Sequence, residues 1–295
     1  MSTKAPPPVT AVVTGATRGL GVALARGLAM QTAFAPIRVV LTARDENAAL
    51  ATAAALSAEI GSSAGGSLPK LEAYPRSLDV SSPRSVANFV QYAEETLGGV
   101  DLLVNNAAMC EEGWSRETVQ QTLRTNVVGP AALSQALLPG MMRRRRGHVI
   151  CISSGDGELV YLSTSMQREL QSARSSRDVL RILARAMPPH NAFGCPPAHG
   201  PTPAYAVSKA ALNALTRLSA AGLPPPMDSG VRVSAVCPGD VLTRMLDRDD
   251  ELACRNAVPP STAARDVVWL ATVGLLADAA LPTGRFWRHC HQIEW

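Results

Sequence analysis

The chain is poor in charge: Asp, Glu, Lys and Arg make up 18% of its 295 residues, against roughly a quarter in most soluble proteins. The net charge of +4 is too small and too scattered to imply nucleic acid, although it favours a polyanionic cofactor. Six cysteines are present but no Cys-x-x-Cys pair, so neither a zinc site nor a disulfide framework is indicated and a reducing, cytoplasmic setting is expected. Long apolar runs are missing too. The longest, 267–281, contains Asp278 and is too short to span a bilayer. The opening MSTKAPPPVT lacks the cationic-then-apolar pattern of a signal segment, and residues 1–8 read as a disordered lead. No internal repeat is visible.

What the chain has is a hydrophobic share of 46%, enough for a sizeable core in one large domain. Short β-branched runs at 9–14, 37–42, 71–74, 100–104, 148–152, 231–236 and 285–287 read as strands. They alternate with helical patterns at 20–30, 48–60, 82–97, 119–142 and 205–221. Such alternation predicts an α/β fold, a single doubly wound (Rossmann) parallel sheet with helices on both faces. Two stretches interrupt it. Residues 61–69 form a flexible connector, and 155–203 is an insertion before the last of those helices. Within it Leu170, Val179, Leu180, Leu183 and Met187 recur at near-helical spacing, predicting one or two amphipathic helices over the sheet edge.

Thr14-Gly15-Ala16-Thr17-Arg18-Gly19-Leu20-Gly21 lies between a predicted strand and a predicted helix. Glycines there allow a tight turn and let the backbone approach a pyrophosphate, with helix N–H groups aimed at it. The second strand ends Thr42-Ala43-Arg44-Asp45. A carboxylate at that end would bind the ribose hydroxyls of NAD, whereas Arg44 with Arg18 suits a 2′-phosphate, so NADPH/NADP+ is the expected cofactor. Arg44 could instead be a solvated helix-start residue, or pair with Asp45.

Tyr205-Ala206-Val207-Ser208-Lys209 opens a helix and sets Tyr and Lys on one face about a turn apart. A neighbouring ammonium would draw a phenol toward the working pH range of a general acid. Other polar signals sit at predicted strand ends: Asn105-Asn106-Ala107-Ala108, the pair Ser153-Ser154, and Cys237-Pro238-Gly239 with Thr243 beyond it. Asn126 stands inside an otherwise apolar helix. Either serine of the pair fits the catalytic place on these grounds.

In this order and spacing the motifs resemble the short-chain dehydrogenase/reductase family, over nearly the whole chain. The resemblance implies Tyr205 as general acid/base, Lys209 as the residue lowering its pKa and holding the nicotinamide ribose, Ser154 polarising the carbonyl, and Asn126 keeping a water that relays protons to Lys209. It implies cofactor contacts from Gly15, Thr17, Arg18, Gly19, Leu20 and Gly21, then from Arg44, Asp79 and Val80. Asn105 and Ala107 would line the adenosine side, and Pro238, Gly239, Val241 and Thr243 the nicotinamide end. Ala108 departs from the family's usual Gly. The run 39–45, the insertion, Cys237-Pro238-Gly239 and the segments Gly284-Arg285-Phe286 and Glu294-Trp295 are similar to the monomeric carbonyl reductase subgroup, which implies a monomer whose insertion covers the usual oligomer face. The expected activity is NADPH-dependent reduction of a ketone, aldehyde or quinone. The alternatives are an idle NADPH-sensing protein and an alcohol dehydrogenase oxidising a steroid- or terpenoid-like alcohol.

Further features read blandly. Arg143–Arg146 complements a helix C-terminus, His289 and His291 flank Cys290 in a surface strand, and Trp269 belongs to the core. Met109, Trp114 and the loop 241–260 are expected around the substrate mouth. Cys237 could be a reactive thiol or an inert one.

Overall fold

In a computed structural model of the chain, residues 8–34, 36–61, 69–74, 76–189, 192–245, 251–276 and 281–295 are described. The expected lead, most of the 61–69 connector, part of the 241–260 loop and Asp278 lie outside them. Strands β1 (Val9–Thr14), β2 (Ile37–Thr42), β3 (Lys70–Ala73), β4 (Leu102–Asn105), β5 (Gly147–Ile152), β6 (Val231–Val236), β7 (Phe286–Arg288) and β8 (His291–Ile293) form one sheet. Their order is β3-β2-β1-β4-β5-β6-β7-β8. All pairs are parallel except the last, β7 with β8. The order reverses between β1 and β4, and the crevice above that point is where such sheets bind ligands.

Helices α1 (Gly19–Ala29), α2 (Glu46–Gly61), α3 (Pro83–Glu95), α4 (Arg116–Leu123), α5 (Gly129–Arg144), α6 (Thr164–Ser172), α7 (Ser176–Ala186), α8 (Pro203–Ala221), α9 (Pro226–Ser229), α10 (Glu251–Asn256) and α11 (Pro260–Leu276) complete the fold. Side chains alternate along each strand, so the sheet buries both faces. Ala11, Val13, Val39, Leu41 and Val104 pack against α1, α2 and α11 through Leu24, Leu56 and Leu270. Val12, Val40, Leu103 and Val149 pack on the other face against Phe89, Leu137 and Leu212 of α3, α5 and α8. Ser82 caps α3, its hydroxyl accepting from Ser85 N, with Pro83 in the first turn where a missing N–H costs nothing.

The predicted helix 119–142 is divided. A π turn, Arg124–Val128, separates α4 from α5, with Gly129 N–H reaching back to Arg124 O. Pro130 explains the break: it has no N–H for the carbonyl of Asn126, four residues earlier, and its ring crowds that carbonyl.

The insertion forms α6 and α7 after two short 3-10 turns. A reciprocal Ser175–Asp178 capping box starts α7. Met166, Leu170, Val179, Ile182 and Leu183 bury against Val207, Ala211 and Leu215 of α8 and Val119 of α4. Each such side chain contributes roughly 1.5–3 kcal/mol. Leu180 turns outward and is exposed.

Other bland readings take specific form. Arg143 and Arg144 meet Glu94, and Arg144 and Arg146 meet Asp101, so this run is ion-paired as well as at a helix end. Trp269 is half-buried on α11, edge-on to Trp287. His289 and Cys290 make the β7–β8 turn at positive φ. Helices α9, α10 and α11 had no counterpart among the predicted elements, and of the surface strand expected around His289 and His291 only His291 lies in a strand, β8. Among the described residues, no helix is long and apolar enough to cross a membrane.

Candidate active site

The turn after β1 is fixed by main-chain contacts. Thr14 Oγ1 accepts from Asn106 N at 3.0 Å and Ala107 N at 2.9 Å. Asn106 Nδ2 donates to Thr14 O at 2.8 Å and Gly15 O at 3.2 Å. Ala16 N reaches Thr42 O, binding the turn to the end of β2. Gly15 sits at φ +64, where a Cβ would lie 3.0 Å from Ala107 Cα. A Cβ on Gly21 would strike the Gly15 carbonyl. Gly19, at φ +53, lies against the Thr243 methyl, bringing the loop after β6 over the turn. Arg18 begins α1 without a side-chain cap, so the first-turn N–H groups around Gly19, Leu20 and Gly21 point at the crevice, a cradle suited to a pyrophosphate. Thr17 is half-buried beside them.

Arg18 and Arg44 are both exposed at this corner. Neither has an ion-pair partner among the described residues. Asp45, the possible partner of Arg44, instead caps α2, accepting from Ala48 N at 3.0 Å. Asp79 follows β3 and forms a tight turn, its Oδ1 accepting from Ser81 N and Oγ. Val80, buried beside it, packs against Gly129.

Asn105 does other work than its neighbour. It is buried, and its Nδ2 donates to Ser134 Oγ at 3.0 Å, with Cys151 Sγ at 3.7 Å. It braces β4 against α5 and β5, while Asn106 and Ala107 reach the turn. The sequence pattern singled out the pair but not this division.

The catalytic candidates converge at the ends of β5 and β6. Ser154 follows β5 and hydrogen-bonds the Tyr205 phenol. Ser153 is buried, with no partner for its hydroxyl among the described residues, which separates the two serines. Lys209 Nζ lies 5.3 Å from the Tyr205 ring centroid and donates to Ile152 O at 2.7 Å. Burial draws Lys209 down to about 8 despite nearby thiols and Asp156. Burial, then the Cys110 thiol and Asp156, pushes the Tyr205 phenol above its ordinary value. The lowering expected from Lys209 is therefore not the dominant influence in the ligand-free chain, because desolvation disfavours the phenolate more strongly.

Asn126 is buried, and its side-chain amide is fully engaged. Oδ1 accepts from Met109 N at 2.9 Å, and Nδ2 donates to Met109 O at 2.8 Å and Ser208 Oγ at 3.0 Å. Pro130, four residues on, has no N–H to offer the Asn126 main-chain carbonyl. Pro130 was thus a signal in the sequence that the motif reading did not use.

After β6, Pro238 is buried, Gly239 takes φ +75, and Val241 bridges to Val258. Thr243 N donates to Val241 O. Cys237 is buried, its sulfur accepting from Gly239 N, with the Arg288 side chain alongside. Arg288 also pairs with Glu158 in the loop after Ser154. Trp114 packs into the cluster beneath the insertion, and Met109 is half-buried at the site.

Comparison with known proteins agrees with this architecture. The short chain dehydrogenase family model matches residues 9–166. (+)-Neomenthol dehydrogenase of Arabidopsis thaliana is 30% identical over 269 residues, covering 81% of this chain and 84% of its own. Carbonyl reductase [NADPH] 1 of Sus scrofa is 29% identical over 293 residues, covering 97% and 93%. Among solved structures, salutaridine reductase from Papaver somniferum superposes with TM-score 0.74 at 22% identity, over 95% of this chain and 99% of that one. A metagenomic short-chain oxidoreductase in complex with NADP has TM-score 0.62 at 28% identity, over 95% and 96%. With the motifs, the sheet order and these matches in agreement, the chain belongs to the short-chain dehydrogenase family of oxidoreductases.

Proposed function

We propose that the protein reduces a ketone, aldehyde or quinone carbonyl with NADPH. The observation that carries this reading is the grouping of Ser154, Tyr205 and Lys209 at one end of the crevice and, at the other, of the glycine turn with two guanidiniums that have no ion-pair partner among the described residues. NADPH, when bound, supplies the hydride. Arg18 and Arg44 would hold its 2′-phosphate, and Gly15, Gly19 and Gly21 would leave room for its pyrophosphate. Asp79 and Val80 border the adenine end; Pro238, Gly239, Val241 and Thr243 border the nicotinamide end. The likeness to a reductase named for NADPH and to an NADP complex supports this choice.

Ser154 Oγ donates a hydrogen bond to the substrate oxygen and Tyr205 delivers its proton there. In the reductive direction Tyr205 acts in its protonated form, the form that burial favours in the ligand-free chain. Lys209 resupplies the proton, and the Asn126 carbonyl is the acceptor on which a relay water would rest. The packing of α6 and α7 over α8 supports a monomer, since that helix face is used up within the chain. The six free cysteines suit a reducing, cytoplasmic setting.

Tyr205→Phe should leave NADPH binding within about twofold and lower turnover by roughly 100-fold or more; normal turnover would overturn the mechanism. Arg44→Ala should weaken NADPH about 10-fold or more relative to NADH. Equal losses for the two cofactors, measured as kcat/KM, would overturn the choice of NADPH.

A further inference from the structure

One carboxylate beside the catalytic serine has no task in the steps above. Asp156 lies two residues after Ser154, and its main-chain N–H donates to Ser154 Oγ at 3.3 Å, so the turn fixes the residue next to the reacting hydroxyl. That local cap uses the Asp156 backbone, which any residue could supply. The carboxylate itself accepts a long 3.4 Å hydrogen bond at Oδ2 from Ser154 Oγ, and it forms no ion pair among the described residues. Lys209 is spent on Ile152 O, and Arg288 on Glu158.

Away from Ser154, Asp156 lines a cavity of about 300 Å³ together with Tyr161, His199, Thr202 and Ala206. Main-chain bonds hold its walls before any ligand enters. His199 N donates to Tyr161 O at 2.9 Å, Gly113 N to Pro201 O at 3.0 Å, and Leu162 bridges Ala198. The insertion therefore builds one wall of this space, and α8, which carries Tyr205, builds another.

We propose that Asp156 is a specificity-determining residue that accepts a hydrogen bond from a hydroxyl or ammonium group one or two carbons from the substrate carbonyl. The preferred substrates are then α- or β-hydroxy and amino ketones or aldehydes. This rests on the carbonyl-reduction reading above. The distances select the class. Ser154 Oγ and Asp156 Oδ2 lie 3.4 Å apart, so a carbonyl oxygen on the first and a donor on the second, approaching side by side at about 2.7–2.8 Å each, keep about that separation. An α or β substituent spans that separation; a remote one does not. Burial holds Asp156 above its usual value, against the lowering by the Ser154 hydrogen bond and the nearby Lys209 charge, with Asp240 and Glu158 adding like charge. A partly desolvated carboxylate with no ion pair among the described residues is costly, and a substrate donor relieves it. The same field opposes anionic substrates such as α-keto acids.

The test is NADPH oxidation by the wild-type chain, Asp156→Asn and Asp156→Ala with four probes: acetophenone, 2-hydroxyacetophenone, 2-aminoacetophenone and phenylglyoxylate. The readout is the ratio of kcat/KM between each probe and acetophenone, which cancels any general loss from disturbing Ser154. In the wild type the hydroxy and amino ketones should exceed acetophenone by about 10-fold or more, and phenylglyoxylate should be the poorest. Asp156→Ala should bring the hydroxy and amino ratios down to about unity. Asp156→Asn, nearly isosteric, should keep part of the hydroxyl preference and lose the ammonium preference. Ratios unchanged in Asp156→Ala, or a wild type indifferent to the substituents, would overturn the role of Asp156 while carbonyl reduction stands. No NADPH oxidation with any probe would instead overturn carbonyl reduction, and this inference with it.

Discussion

The crevice half at the ends of β1 and β4 is fixed by Thr14 and Asn106 side chains bound to the main chain of the adjoining strand ends, whereas the half at the ends of β5 and β6 is held by the side chains of Asn213, Arg288 and Trp295, none of which belongs to those two strands. In the first, Thr14 and Asn106 exchange four hydrogen bonds with neighbouring backbone. In the second, Gly157 O accepts from Asn213 Nδ2 at 3.3 Å and Trp295 Nε1 at 2.8 Å, and Glu158 pairs with Arg288. Backbone contacts of the first kind leave little freedom to vary. Side-chain clasps of the second kind let the substrate end be retuned from distant positions without disturbing the nucleotide end.

The largest expected effect tests the rigid half. In Gly21→Ala the new Cβ would strike the Gly15 carbonyl and approach Ala16 Cα at 2.9 Å. Neither is a flexible side chain that can move aside. Overpacking of this kind costs about 1–3 kcal/mol, and here it displaces the turn that faces the pyrophosphate. KM for NADPH should rise by about 10-fold or more. Gly61→Ala, at the end of α2 with nothing within 4 Å, should change neither KM nor Tm. A Gly21→Ala enzyme with wild-type KM would break the comparison on its rigid side.

A smaller effect is expected in the clasped half. Arg288→Gln removes the partner of Glu158 and adds another unpaired carboxylate to the loop that carries Ser154. Turnover should fall by about 10-fold while KM for NADPH stays within about twofold, because the glycine turn does not depend on this pair. Adding Glu158→Gln should restore part of the loss. If KM for NADPH rises as much as kcat falls, the two halves are not separable.

The same contrast explains what could be read from the sequence. Strands 9–14, 37–42 and 231–236 matched observed bounds, because strands buried on both faces are uninterrupted apolar runs. The site residues are carried by short motifs at strand ends and at the start of α8, so Gly15, Tyr205 and Lys209 could be picked out directly, whereas Ser154 was told from Ser153 only by the family resemblance. The division of labour inside Asn105-Asn106 could not, since it depends on which amide meets Ser134 across the sheet. Strand β8 is three residues long and pairs only with β7, too short for periodicity to fix its bounds, so the surface strand expected around His289 began two residues early. Asp156 carried no motif. Its place beside Ser154 and against the insertion's exit arises only when residues 156, 161 and 199 are brought together.

The smallest effect separates the halves by pH. Burial lowers Lys209 to about 8, so its charge is present below that pH and lost above it. Tyr205, pushed upward by burial, stays protonated over the same range and adds no second ionisation. kcat/KM for NADPH reports groups on the free enzyme and should fall above about pH 8 by up to roughly 10-fold per unit. In Lys209→Arg the cation does not titrate, so the profile should stay flat to about pH 9.5, though at a lower rate. Adenosine 2′,5′-bisphosphate engages the Arg18 and Arg44 corner and lacks the nicotinamide end. Its phosphates are already ionised above pH 7, so its affinity should not change between pH 7 and 9.5. A parallel fall in that affinity would mean that the pH response belongs to the nucleotide half, and that Lys209 is not the group that sets it.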